Sequence, residues 1–199
     1  FGSFEYLFFL LFVAVVYFQI PKKASWIWLL LVSYFFYSLF GLFYLVILVA
    51  VTISSYLGGR QIAKAGNKKT KKKVLWLSIL FTLAPLLWLK YYNFFNQIVS
   101  DGLGVLEMEN PLGFHQLLMP LGISFFTFQS LSYLLDIYKG YLKPTKHFGK
   151  YAVFVSFFPQ LLAGPIERAK RLLPQVENRT PFSYQNAVWG LRLILWGMF

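Results

Sequence analysis

No cysteine occurs in the chain, which excludes a disulfide framework, a thiolate metal site and a covalent thiol carrier within it. Acidic side chains are scarce too, seven against nineteen Lys and Arg. Charged residues of both signs reach only 13%, where soluble domains carry about 25%. So little charge, beside 58% hydrophobic and 21% aromatic residues, places the chain in the membrane class. A formal charge of +12 would point to nucleic acid in a soluble protein. Here the cations cluster between apolar runs, where they set topology and meet anionic lipid headgroups, so membrane lipid is an expected partner and nucleic acid is not.

Catalytic motifs are missing as well. No Gly-x-Ser-x-Gly elbow is present, and "GLGVLEMENPLG" lacks the Lys-Ser/Thr ending of a phosphate-cradling loop. The two histidines, His115 and His147, have no carboxylate or second histidine at a metal-ligand spacing. Both read as exposed loop residues without a role. The residues alone therefore give no catalytic group and no metal site. No internal repeat is visible.

What is present is a series of apolar runs. They predict an all-α, polytopic integral membrane protein, a multi-helix bundle with spans at about 4–20, 26–40, 42–59, 74–95 and 117–138. Gly41 divides the long second stretch into two helices, and Pro85 predicts a kink in the fourth. The basic decapeptide "KAGNKKTKKK" from Lys64 reads as a loop, as does 96–116. Tyr and Trp near the span ends, Tyr151 among them, read as an interfacial belt. Residue 1 is Phe, "FGSFE" offers no basic signal-peptide region, and the final run, 187–199, starts a further span. The expectation is a piece of a larger protein.

Charge orients the bundle. With the N-terminus outside, Lys22, Lys23, the seven cations from Arg60 to Lys73 and the four from Lys139 to Lys150 all lie on the cytoplasmic side, whereas 96–116 has no Lys or Arg. The stretch "YAVFVSFFPQLLAGPIE" is flanked by Lys150 and Arg168, so both its ends are basic. Too short and too rich in proline to span, it predicts a re-entrant or broken helix at 151–166, bent at Pro159, Gly164 and Pro165. Irregular backbone at that depth is stable only where protein or a water-filled cavity surrounds it. An enclosed cavity reached from the cytoplasm is therefore expected.

The fifth span holds most of the polar groups. At 100° per residue Gln129, Ser132 and Asp136 fall within about 60° of one another on one stripe, with Ser124, Thr127 and Ser130 directed elsewhere. Asp136 stands near the helix C-terminus, where the macrodipole disfavours an anion, so it calls for Lys139, Arg168 or Arg171 as partner. Two readings of it stand, a helix-helix clamp and the lining of a substrate path. Lys90 either snorkels to headgroups or stands at a cavity mouth. Glu167 and Arg168 either anchor the re-entrant element or meet substrate.

"PLGISFFTFQSLSYLLDIYKG", "FVSFFPQLLAGPIERAKRLLPQ" and, upstream, "LKYYNFF" resemble the N-terminal half of the alginate O-acetyltransferase group of membrane-bound O-acyltransferases. The resemblance runs over essentially the whole chain. The D-alanyl transfer proteins of teichoic acid are less similar. The likeness implies part of one transmembrane acyltransferase domain, a helical funnel in the inner or plasma membrane. It implies transfer of an acyl group, usually acetyl, from a cytoplasmic thioester (acetyl-CoA or another acyl thioester, free or on an acyl carrier) to a hydroxyl of an extracytoplasmic polysaccharide, often through a partner acetyltransferase protein. No tightly bound cofactor is implied. The group's invariant histidine lies in a later helix and has no counterpart at His115 or His147. Arg168 would then be available to an anionic donor. The rival expectations are a polytopic transporter and a non-catalytic membrane subunit.

Overall fold

The computed structural model describes residues 4–105, 122–161, 164 and 166–198, and among them the secondary structure is helical throughout. In chain order the helices are α1 (Phe4–Gln19), α2 (Ser25–Ser38), α3 (Leu42–Lys64), α4 (Lys68–Val105), α5 (Ile123–Lys139), α6 (Phe148–Ser156), α7 (Phe158–Leu161), α8 (Ala169–Glu177) and α9 (Tyr184–Met198). The all-α expectation holds.

Chain breaks follow local chemistry. Gly41, with φ of 131°, separates α2 from α3 in a conformation that side chains with a Cβ resist. The α1–α2 turn is closed by the Ala24 amide on the Pro21 carbonyl (2.9 Å), and Trp28 Nε1 on α2 donates to the Val13 carbonyl of α1 (3.2 Å).

Two expectations are corrected at α4. The basic decapeptide is not a loop: α3 runs to Lys64 and α4 begins at Lys68, leaving Ala65–Asn67 between them. Asn67 is the reason, since its Oδ1 accepts the Thr70 amide (2.7 Å) and starts the helix, while lysine has good helix propensity. At the other end α4 continues through Pro85 and past Phe95 to Val105, so the first part of the expected 96–116 loop is helical. Its 38 residues reach about 57 Å at 1.5 Å each, well beyond a hydrocarbon core of about 30 Å. The expected fifth span is helical from Ile123, its first residues lying outside those described, and the last run is helical from Tyr184.

α3, α4 and α5 pack on one another, and α6 sits between α2, α3, α5 and α8. The core is aromatic and polar at once. Tyr37, Phe126, Tyr133, Tyr151 and Phe154 are fully buried, and so are Ser33, Thr52, Ser55, Thr82 and Ser156. Tyr151 is therefore not an interfacial residue: its hydroxyl donates to Ser55 Oγ (2.8 Å) and its ring stands 4.5 Å from that of Tyr133. The outside is the reverse, with Phe8, Leu42, Phe43, Phe81 and Trp88 each more than half exposed. Large apolar side chains outside and hydroxyls inside invert the distribution of a water-soluble protein. Among the described residues two helical stretches, Leu42–Lys64 and Lys68–Tyr92, are long and apolar enough to cross a membrane.

Candidate functional site: a broken helix and its two clefts

α6 stops at Ser156 although its surroundings remain apolar. To continue, the Phe158 amide would have to donate to the Phe154 carbonyl four residues back. That bond is absent, and its two halves are taken up by different helices. The Phe158 amide donates to Ser33 Oγ of α2 (3.3 Å), while Gln129 Nε2 of α5 donates to the Phe154 carbonyl (2.8 Å). Ser33, Phe154 and Phe158 are buried to 1% exposure or less and Gln129 to 5%, so neither half could be satisfied by bulk water. The break is thus built into the packing of three helices.

The chain then makes one turn of helix. The amides of Gln160 and Leu161 both donate to the Phe157 carbonyl at 3.0 Å. Pro159 occupies a first-turn position where a missing amide costs nothing. The Gly164 amide closes on the Gln160 carbonyl (3.0 Å), and a Cβ on Gly164 would stand 2.6 Å from Gln160 Cα. No side chain fits there without moving backbone. Within the expected 151–166 element, the helix that begins at Phe148 is interrupted between Ser156 and Phe158, while residues 162, 163 and 165 lie outside those described.

The predicted polar stripe divides. Gln129 is the clamp on α6, and Ser132 Oγ donates back to the Gln129 carbonyl (2.8 Å). Asp136 is half-buried, and no cation among the described residues lies within ion-pair distance of it, so the expected partnership with Lys139, Arg168 or Arg171 is corrected. The helix end needs no such pair. Gly140 adopts the left-handed conformation, and the amides of Gly140, Tyr141 and Leu142 cap the Asp136 carbonyl, leaving a part-exposed carboxylate that can be hydrated. Arg171 pairs with Glu167 (3.8 Å), and Arg168 is exposed as the N-cap of α8. Lys90 is exposed with its Nζ 5.5 Å from the Tyr91 ring centroid. Thr127 and Ser130, assigned to other directions, are fully buried as well, so the packed face of α5 is wider than its polar stripe.

Two clefts flank α8. The first, about 210 Å³, is apolar and lies against the break, lined by Val13 and Tyr17 of α1, Leu29 of α2, Phe157 and Pro159, and Leu172 and Val176 of α8. It is an open-sided groove rather than the enclosed cavity expected. The second, about 370 Å³, begins on the other side of Val176 and is lined by Lys22, Lys23, Trp26, Lys150, Glu177 and Arg179.

Sequence reasoning missed three contributors. Ser33 carried a weak signal, a hydroxyl inside the apolar run "LLLVSYFF". His147, read as idle, caps α6: its Nδ1 accepts the Lys150 amide (3.3 Å), and its ring stands edge-on to Trp26 at 4.7 Å. Arg179 had no local signal at all. Its Nη1 donates to the Tyr17 and Ile20 carbonyls (2.6 and 2.7 Å), supplying the C-terminus of α1 with a cation that α1 lacks in its own last turn.

The break and its small, apolar environment coincide with the segments that carry the family resemblance, and comparison with known proteins extends it. The chain is 35% identical over 153 residues, 76% of its length, to a probable alginate O-acetylase AlgI of Pseudomonas syringae pv. tomato, covering 29% of that protein. It is 35% identical over 182 residues to the probable alginate O-acetylase AlgI of Azotobacter vinelandii, covering 89% of this chain and 35% of the relative. It is 32% identical over 203 aligned positions to a peptidoglycan O-acetyltransferase of Helicobacter pylori, covering 87% and 37% respectively. The chain thus spans about a third of the length of the curated relatives it matches. No protein-family model matches it, and no solved structure does.

Proposed function

Starting from this homology to the alginate O-acetylases, we propose that the chain forms one wall of a membrane O-acyltransferase that passes an acyl group, acetyl by its kinship, to a hydroxyl of a polysaccharide outside the membrane. The observation that carries the reading is the break at Phe157. Helix-breaking backbone at membrane depth survives only inside protein, and here two side chains from separate helices are committed to it. Such a costly feature fits a passage wall. The groove at Phe157 and Pro159 suits the apolar arm of an acyl thioester, and a dry passage protects a thioester from hydrolysis before a hydroxyl reaches it.

In this reading the exposed apolar side chains of α1 to α4 face lipid, and the basic turns lie on the cytoplasmic side with the N-terminus outside. The donor, acetyl-CoA or an acyl carrier, enters from that basic side. A general base near neutral pKa is still required for the hydroxyl. His147 Nδ1 is engaged at the start of α6, and His115 lies outside the described residues. In this reading the base is the later-helix histidine that the family resemblance implies.

The test is genetic and chemical together. Deletion of the gene is expected to lower the O-acetyl content of the surface glycan, measured after mild alkaline release, and the full gene should restore it. Unchanged O-acetyl content after deletion overturns the reading.

A further inference from the structure

The polar cleft beside α8 gathers four cations into one concavity of about 370 Å³: Lys22 and Lys23 from the α1–α2 turn, Lys150 from the first turn of α6, and Arg179 after α8. The carboxylate in the lining, Glu177, is one against four cations and leaves an excess of positive charge. Its Oε1 accepts from Thr145 Oγ1 (3.2 Å), and no ion pair joins it to a cation of the cleft. Lys150 Nζ reaches only the Glu177 backbone carbonyl, at 3.4 Å, and the side chains of Lys22 and Lys23 have no polar partner among the described residues.

Like charges held together destabilise a fold unless something of opposite sign is present. α6 adds to the imbalance, because its N-terminal end, with a partial positive charge, opens at Lys150. The cleft is also built, not merely decorated. Arg179 is pinned by two carbonyls, Lys150 is carried on a capped helix, and the Trp26 ring is packed so closely over Gly149 that a Cβ there would overlap it. The contrast with α4 is instructive. Its five lysines from Lys68 to Lys73 stand at the start of a projecting helix, and no cleft among those described includes them.

We propose that this cleft is a binding site for a phosphate ester. A phosphate ester offers one or two negative charges and several acceptor oxygens to a concavity of amines and one guanidinium, and Trp26 supplies a flat apolar side. The phosphate is carried either by a soluble ligand or by a lipid headgroup, and both present anionic phosphate oxygens to Lys23 and Lys150. The inference does not depend on acyl transfer.

The experiment uses the full-length protein, with two probes. In nanodiscs of neutral phosphatidylcholine, coenzyme A is titrated by calorimetry. In mixed nanodiscs, phosphatidylglycerol retained by the protein is counted by native mass spectrometry. Saturable binding of coenzyme A assigns a soluble phosphate ester, and retained phosphatidylglycerol assigns a headgroup. In either case Lys23→Gln/Lys150→Gln should weaken binding at least tenfold, and Lys68→Gln/Lys69→Gln, which removes equal charge outside the cleft, should leave it within twofold. If the double variant at Lys150 fails to fold, Lys22→Gln/Lys23→Gln in the exposed turn serves the same purpose. Absence of binding by both probes, or equal loss in the Lys68/Lys69 control, overturns the proposal.

Discussion

The α3–α4–α5 bundle and the α6–α8 region solve the same problem, polar groups buried in an apolar interior, in opposite ways. In the bundle several hydroxyls donate back into their own helices, Thr52 to the Leu48 carbonyl, Ser55 to Val51 and Ser78 to Val74, all four residues back, even where, as at Ser55, the oxygen also accepts from another helix. Around α6 to α8 the bonds cross between elements far apart in sequence, from Gln129 to Phe154, Phe158 to Ser33 and Arg179 to Tyr17. The first arrangement tolerates change because each helix is complete without its hydroxyls. The second does not, because each side chain completes backbone that has no other partner.

The largest effect is expected at Gly164. Leucine there must displace the Gln160 backbone, since even a Cβ would stand 2.6 Å from Gln160 Cα. Gly164→Leu in the full gene should abolish glycan O-acetylation while the protein still inserts in the membrane, both read on the same cells. Normal acetylation in that variant would remove the break from the function. Next comes Gln129→Leu, which leaves the buried Phe154 carbonyl without a donor at a cost of about 1 to 3 kcal/mol in thermal unfolding. Ser33→Ala orphans the Phe158 amide by a similar route. The pair should not add. With both side chains gone the two orphaned groups can bond each other and close the helix, so the double variant should lose less than the two singles together. Strict additivity would mean that the break is set by something other than those two bonds.

The contrast also explains what the sequence revealed. Helices such as α3 were legible because their apolar runs and Gly41 act locally, and the bend was legible because Pro159 and Gly164 lie within it. The start of α4 was not, because one Asn67 cap outweighed a composition that reads as loop. At the site, Gln129 was found by its stripe, but what it does was not, since its partner is a carbonyl 25 residues away on another helix. Asp136 was misjudged because a Gly140 cap relieves the helix end without a cation. Arg179 acts across 162 residues on backbone atoms, and no spacing or residue type in its own neighbourhood announces that.

Arg179 is the next test in order of size. Replacing it with Gln should cost about 1 kcal/mol, less than the buried break because the side chain is half-exposed, and it should free the segment after α8. Limited proteolysis near residues 178–183 is the sensitive readout. An unchanged cleavage pattern would mean that the two carbonyl bonds do not hold that segment.

The smallest effect belongs to the bundle. Thr52 is fully buried, yet its Oγ1 donates only to the Leu48 carbonyl (2.7 Å), which as an interior carbonyl of α3 already receives a backbone amide. Thr52→Val keeps the shape of the side chain and leaves no group unsatisfied, so the unfolding free energy should move by less than about 0.5 kcal/mol. A loss as large as that of Gln129→Leu would show that Thr52, too, completes a group beyond its own helix, and the distinction between the two regions would then fail.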